Sequence, residues 1–276
     1  SSDELAQIAK AAEVEEEFVR AALDPEESSR VDTEDEQLLM IVDIPMVEKS
    51  SVEDGGQLFS TIPMGIVVAK SAVITVCLED SIILRSIAEG AVKGVHTALR
   101  TRFVFQILLR IAGRFLKNLR MIERDFTRIE KRLYDSLKNE ELIQLLGLSK
   151  SLVYFSSSLK GNEVTMEKVL RGRVLKLYED DRDILEDALI EVRQAIEMAN
   201  IYSNIMAGTM DAYASVVSNN LNIIMKVLTI LTIIMTIPNI VFGFFGMNIG
   251  EGNIPGDWVW WMPLAITVIG CFFAWY

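Results

Sequence analysis

The chain has 276 residues, a formal net charge of −12 and 50% hydrophobic residues. This length allows more than one domain and a sizeable soluble core. The acidity argues against a nucleic-acid-binding surface, which needs clustered Lys and Arg, and favours cations as partners or counter-ions, although it also suits a domain that is merely kept soluble by charge.

The charge is unevenly distributed along the chain. Nearly every charged side chain lies before or at Lys226, and Glu251 and Asp257 are the only charged residues after it. The two cysteines, Cys77 and Cys271, lie in a predicted strand and in the final apolar segment, so we expect no disulfide and a reducing compartment. The acidic start of the sequence has the features of neither a signal peptide nor a transit peptide, so the charged head is expected in the cytoplasm.

Residues 1–95 are predicted to form an α/β domain. Two short helices come first, the second from Val14 to Leu23, and Asp24-Pro25 ends it. Runs rich in Val, Ile and Leu then predict three strands. They cover Leu38 to Val47, Phe59 to Ala69 and Ala72 to Leu78, with Lys70-Ser71 as a tight turn between the last two.

Residues 96–162 are predicted to form an antiparallel pair of helices. From His96 to about Leu137, apolar residues recur at helical spacing, which indicates a long amphipathic helix. A second helix is predicted from Glu140 to about Leu159, with a break at Gly161-Asn162 where the chain reverses.

Residues 163–226 are predicted to form a stalk helix that continues into the apolar tail. Pro238 is the only proline between Thr165 and Phe245, which allows one helix of roughly 80 residues, about 120 Å long. Such a helix cannot pack on one small domain, so we expect it to pack against copies of itself.

Two uncharged stretches are predicted to cross a membrane, at 227–245 and 258–276, with an outer loop at 246–257. Lys226 precedes the first stretch and the loop has no Lys or Arg, which places the head inside. Three tryptophans, at 258, 260 and 261, are expected to mark the outer interface. Because the sequence ends at the membrane edge without basic residues, we also expect a short cytoplasmic tail in the parent protein.

The first predicted span carries a stripe of polar or small residues. Spacings of three and four residues place them on one helix face, with aliphatic and aromatic residues elsewhere. The stripe comprises Met225, Thr229, Thr232, Thr236, Asn239, Gly243 and Gly246. Thr and Gly in such a stripe can mediate dry helix packing, or they can line a pore formed by several copies of one helix.

The span ends in Phe245-Gly246-Met247-Asn248, and here the sequence resembles the CorA family of magnesium channels. The resemblance rests on Gly-Met-Asn at the end of the first of two C-terminal spans, on the long helix before it, on the segment Met225 to Ile230 and on Ser218-Asn219-Asn220. It covers essentially the whole chain. It implies a funnel-shaped homopentamer in the plasma membrane, with the first span lining the pore.

The resemblance also implies roles for individual residues. Gly246, Met247 and Asn248 would form the outer selectivity ring, where neutral oxygens bind the hydration shell of Mg2+. Met225 and Leu228 would form an apolar constriction that gates by dewetting. The other implied pore positions are Thr236 and Asn239 as further rings, and Asn222 and Asp211 at the inner mouth.

Seven carboxylates between Glu179 and Glu191 crowd about three helical turns. Most such runs are solvated helix faces, but bridging cations would relieve the repulsion. The resemblance implies a regulatory Mg2+ site between subunits, formed by Asp187 on this helix and Glu48 near the end of the first long strand. Loss of that ion would favour open states.

Two departures from the family pattern leave the ion open. Phe245 replaces the commoner Tyr before Gly246, and Glu251 and Asp257 are the only acidic residues of the outer loop, so Co2+, Ni2+ or Zn2+ remain alternatives to Mg2+. His96, the only histidine, is expected to be structural. A non-conducting coiled-coil scaffold would explain the stalk and spans but not the polar stripe. An enzyme is not expected, since no phosphate-binding loop or nucleophile with its base is present.

Overall fold

The computed structural model describes residues 2–34, 37–48, 58–70, 72–92, 95–135, 139–172, 178–246 and 258–275. The chain divides into two compact units, Ser1–Gly208 and Thr209–Tyr276. The division falls within the predicted stalk, inside one continuous helix. Each unit is described separately below.

A four-stranded antiparallel sheet forms the centre of the first unit. Strands β1 (Arg30–Glu34), β2 (Gln37–Glu48), β3 (Leu58–Val68) and β4 (Val73–Cys77) pair in the order of the sequence. The three predicted strands are confirmed, and β1 was missed because its residues are mostly polar and half-exposed. The predicted α/β domain is thus a mixed domain with an antiparallel meander.

Helices cover both faces of this sheet. Helices α1 (Ser2–Ala12) and α2 (Glu16–Ala21), with Val14 between them, pack Ala9, Val14 and Phe18 against strand residues of one face. Helix α3 (Ile82–Ala88) follows β4. Because both faces are covered, β2 is buried continuously from residue 38 to 42 instead of alternating between buried and exposed positions.

Helices α4 (Arg100–Asp135) and α5 (Asn139–Leu170) pack on the other face. Phe155 of α5 contacts Phe59 of β3 and Phe115 of α4 edge to face, with ring centroids 6.1 and 5.1 Å apart. The apolar positions that predicted α4 from Ile107 to Leu133 are buried. The long amphipathic helix is therefore confirmed.

The predicted chain reversal at Gly161-Asn162 is wrong. Helix α5 continues through both residues to Leu170, and the left-handed Gly172 (φ 70°) follows its end. Gly161 instead permits close packing, because a Cβ there would lie 3.1 Å from Ser29. The side chain of Asn162 is fully buried and bonds to the backbone of Asp43 in β2, so both residues hold the helix against the sheet.

Helix α6 (Glu179–Gly246) begins in the first unit, where it contacts α4 and α5. The predicted start of the stalk at residue 163 is wrong, because α5 extends to Leu170 and the left-handed Gly172 separates the two helices. Arg193 pairs with Glu163 and Glu167 of α5 at 2.7 and 2.6 Å, and Tyr202 donates a 2.8 Å hydrogen bond to Glu123 of α4. The buried face of α6 here consists of small and aliphatic residues such as Ala188, Val192 and Ala195. The first part of the predicted stalk thus packs on its own subunit.

The second unit contains residues 209–246 of α6 and helix α7 (Trp258–Trp275). Among the described residues, α6 is the one helix long and apolar enough to cross a membrane, and α7 adds a shorter apolar segment, Trp261–Ala274. None of the apolar window of α6 is buried within the chain, unlike the core helix of a soluble protein.

Candidate ion pathway in the membrane helices

The predicted stripe on α6 is exposed along its whole described length. Met225 is 57% exposed and Leu228 is 53% exposed. The residues that follow on the same face are exposed as well: Thr229, Thr232, Thr236, Asn239, Gly243 and Gly246. Met247 and Asn248 lie outside the described residues.

Helix α7 packs on a different face of α6. A Cβ atom on Gly270 would lie 2.9 Å from Cγ2 of Ile237, and Sγ of Cys271 lies 3.7 Å from the carbonyl oxygen of Ile234. Accordingly, Ile234, Ile237 and Val241 are half-buried. At 3.6 residues per turn, these residues lie opposite the stripe. The stripe is therefore not the surface that joins the two helices of one chain.

The three threonines of the stripe donate their hydroxyl protons to the helix itself. Thr229 bonds to the carbonyl of Met225, Thr232 to that of Leu228, and Thr236 to that of Thr232, at 2.7–2.8 Å. With its proton used in this way, each hydroxyl oxygen retains lone pairs that can accept hydrogen bonds. The outward surface is thus rich in acceptors, which suits the water protons around a hydrated cation.

The glycines of the stripe face open space. A Cβ atom on Gly243 or Gly246 would meet no atom of the described residues within 4 Å. Neither glycine is therefore required for packing within one chain. Asn222 and Asp211, predicted at the inner mouth, are also exposed on α6 within the second unit.

The two predicted regulatory residues both lie in the first unit. Glu48 is exposed at the end of β2 and lines a cavity of about 870 Å3 together with Glu79, Asp80 and Arg114. Asp187 is exposed on α6 and is not part of that lining. Within one chain, the described residues contain no group of three His, Cys, Asp or Glu side chains that could hold a metal ion.

The carboxylate run around Asp187 is partly held by local contacts. Arg182 pairs with Glu186 at 2.8 Å, and a Cβ on Gly113 of α4 would lie 3.3 Å from a carboxyl oxygen of Glu191. Burial raises the pKa of Glu191, and the nearby charge of Asp187 raises it further. The run is thus not simply a solvated face, because Glu191 points toward α4.

The packing face of α7 was missed from the sequence. Its buried and half-buried residues recur at helical spacing, and most of them are small. They are Pro263, Thr267, Gly270, Cys271 and Ala274. Small residues spaced by three or four positions are the signal that permits close helix packing in membranes, and this pattern was visible in the sequence.

Comparison with known proteins decides the family. The family model described as CorA-like Mg2+ transporter protein matches residues 1–276. The chain belongs to this family. A relative from Methanocaldococcus jannaschii, named cobalt/magnesium transport protein CorA, is 26% identical over 279 residues, covering 97% of this chain and 83% of the relative.

Two further comparisons agree with CorA membership. A CorA protein of the same name from Thermotoga maritima is 31% identical over 132 residues, which cover 44% of this chain and 37% of the relative. The complete structure of the CorA magnesium transporter from Methanocaldococcus jannaschii superimposes with a TM-score of 0.86 at 22% identity, covering 100% of this chain and 86% of that one. The fold is therefore that of a full-length CorA protein.

Proposed function

We propose that this CorA-family chain assembles as a homopentamer in the plasma membrane and conducts hydrated Mg2+ into the cell through a pore lined by α6. The driving force is the electrochemical gradient, since an inside-negative potential supplies about 4.6 kcal/mol per 100 mV to a divalent ion. The predicted orientation places residues 1–226 in the cytoplasm, with Lys226 at the inner end of the span.

The observation that carries this proposal is the division of the α6 surface. One face packs on α7, and the opposite face presents Thr oxygens and the Asn239 amide without contacting α7. Polar groups on a membrane helix are disfavoured against lipid, so they belong in a helix interface or a water-filled path. Five copies of this face around an axis would create such a path.

Several rings of side chains would then act along the axis. At the outer end, Gly246, Met247 and Asn248 supply backbone and amide oxygens to the hydration shell of the ion, followed inward by Asn239 and Thr236. Met225 and Leu228 form the constriction, and Asn222 with Asp211 concentrates cations at the inner mouth. Neutral oxygens suit Mg2+ because it gives up its water reluctantly.

Regulation would use the charged part of α6. Asp187 of one subunit and Glu48 of a neighbour would bind intracellular Mg2+ when its concentration is high, which stabilises the closed pentamer. The exposed position of both side chains supports this assignment. Removal of the ion leaves the carboxylate repulsion uncompensated and shifts the population toward open states.

Mg2+ influx into liposomes under an inside-negative potential tests the proposal. The native chain should conduct, Asn248→Ala should abolish conduction, and millimolar Mg2+ on the head side should suppress it. Absence of flux for every divalent cation would favour a membrane-anchored scaffold. If Co2+, Ni2+ or Zn2+ passes and Mg2+ does not, the proposal of conduction stands but the transported ion is a different one. Co2+ is the first alternative, because two relatives are named cobalt/magnesium transport proteins.

The role of the stripe has its own matched pair of variants. Thr232→Val removes an outward hydroxyl oxygen, whereas Thr267→Val removes a hydroxyl that bonds to Pro263 on the packing face of α7. We expect Thr232→Val to reduce Mg2+ flux about fivefold, the equivalent of ~1 kcal/mol, and Thr267→Val to leave it near native. Equal effects of the two variants would contradict the assignment of the stripe to the pore.

A further inference from the structure

Pro238 interrupts the hydrogen-bond ladder of α6 within the membrane span. The helix continues through it from Glu179 to Gly246. Because proline has no N–H, position 238 cannot donate to the carbonyl of Ile234, its partner four residues earlier. In hydrocarbon, a backbone carbonyl without a donor costs several kcal/mol, so neighbouring groups usually supply one.

Helix α7 places a donor next to this carbonyl. Sγ of Cys271 lies 3.7 Å from the carbonyl oxygen of Ile234, within the range of a thiol hydrogen bond. Thiol donors form weak hydrogen bonds, but water does not compete for the carbonyl inside a bilayer. The residue adjacent to this donor, Gly270, is the one whose missing side chain permits the close approach to Ile237.

The contact lies at a sensitive point of the stripe. Pro238 lies between Thr236 and Asn239, and a proline inside a helix permits a bend, so the backbone geometry at Pro238 sets the position of the outer part of the stripe relative to the inner part. Ile234 is on the face opposite the stripe, where its carbonyl can be reached by α7 without obstructing the exposed surface. Helix α7 can therefore hold the backbone of α6 at Pro238 from the face opposite the stripe.

We propose that Cys271 is a positioning residue for ion conduction: its thiol donates to the Ile234 carbonyl that Pro238 leaves without its helical donor and so fixes the backbone geometry of the pore-lining helix at Pro238. This inference rests on the proposed conduction. Cys271 does not touch the ion, and it acts through the alignment of Thr236 and Asn239. If α7 packed at the same distance but without this donor, the backbone of α6 at Pro238 would be less firmly held.

The thiol itself gives a readout that is independent of transport. The chain has two cysteines, so Cys77→Ala leaves Cys271 as the only thiol. In the full-length protein in liposomes, the infrared S–H stretching band of Cys271 should lie below that of a thiol without an acceptor. Adding Pro238→Ala supplies an N–H to Ile234 and should return the band toward the unbonded position. A band at the unbonded position in the parent, or one that Pro238→Ala does not move, would overturn the inference.

Mg2+ flux tests the positioning role in a double-mutant cycle. In the Cys77→Ala parent, Cys271→Ala should lower flux about threefold, and Cys271→Ser, which retains a donor, should retain more flux than Cys271→Ala. In the Pro238→Ala background, Cys271→Ala should cause no further loss. Equal fractional losses in the two backgrounds, or native flux in Cys271→Ala, would overturn the role.

The two readouts separate this inference from the proposed function. Normal flux in the parent with an unbonded thiol band identifies failure of the inference alone. A bonded thiol band with no flux in the parent identifies failure of the conducting function, and the positioning role falls with it.

Discussion

At the scale of single residues, Asp43 carries a half-buried carboxyl group in the middle of β2. Burial raises its pKa, and the nearby hydroxyl groups of Ser158 and Ser29 oppose that shift only in part. Because the folded state binds the proton more tightly than the unfolded state, this group contributes stability that is fully present below its unfolded pKa, about 3.9, and is lost as the pH rises through its folded value.

We therefore compare the change in melting temperature of the first unit that Asp43→Asn causes at pH 7 and at pH 4. We expect this change to be more favourable at pH 7, where the native carboxyl group is ionised. Far-UV circular dichroism of the full chain in detergent, recorded at both pH values, measures this difference. Asp32→Asn on β1, where the carboxylate is partly exposed beside Arg30, serves as the control. A pH dependence that Asp43→Asn leaves unchanged would show that burial of Asp43 is not the source of the penalty.

Asn162 shows why the structure around single residues could be predicted only in part from the sequence. In the sequence, Gly161-Asn162 has the composition of a break, and both residues are poor helix formers. In the structure, the Asn162 amide accepts bonds from the Asp43 N–H and the Ser29 hydroxyl and donates to the Asp43 carbonyl. These partners are distant in sequence, so no local pattern could indicate that tertiary contacts outweigh propensity.

At the scale of elements, the same amide joins α5 to the sheet and should be important for stability. Asn162→Ala leaves the Asp43 N–H and carbonyl without their partner in a buried position, and we expect a loss of ~3 kcal/mol in the free energy of unfolding of the first unit. Denaturant titration followed by circular dichroism measures it. Asn200→Ala on α6 is the control, because Asn200 is exposed and bonds to Ser156 at 3.3 Å. A loss no larger than that of the control would contradict a stabilising role for the hydrogen bonds between Asn162 and the backbone of Asp43.

The contact between α6 and α7 provides a second test at this scale. Gly270→Ala places a methyl group 2.9 Å from the β-branched Ile237, so α7 must shift, and we expect a lower melting temperature. Gly243→Ala adds the same methyl group in open space and should leave this temperature unchanged or raise it slightly, since Ala favours a helix. Tryptophan fluorescence in detergent reports on this unit, because all four tryptophans lie between residues 258 and 275. Equal shifts for both variants would refute close packing at Gly270.

Element prediction succeeded where one period dominated a long segment. The apolar spacing of α4 and the uncharged run in α6 each specify a helix over many residues, and both are present. Strand β1 was missed because it is a polar edge strand, and the end of α5 was misplaced because the helix ends only before the left-handed Gly172. The packing face of α7 consists mostly of small residues, and the sequence does not show which residues of α6 they contact.

At the scale of the whole molecule, the proposed pore requires several chains around one axis. The stripe of one chain faces away from the α7 helix of the same chain. A closed ring of identical subunits uses the same surface of every copy, so each ring of side chains along the axis contains one residue from each subunit. A defect in any subunit then affects the shared pathway.

This property gives a quantitative prediction for mixed assemblies. If Asn248→Ala in one subunit is sufficient to block a five-subunit pore, an equal mixture of native and variant chains assembled at random should retain about 3% of the native Mg2+ flux. If each chain conducted by itself, the same mixture would retain about half. Co-expression of differently tagged chains, purification of the mixture and flux in liposomes as a function of the variant fraction measure the curve, and native mass spectrometry gives the copy number. A linear decline of flux with the variant fraction would exclude a shared pore. A decline that follows a power of the native fraction other than the fifth would support a shared pore with a different number of subunits.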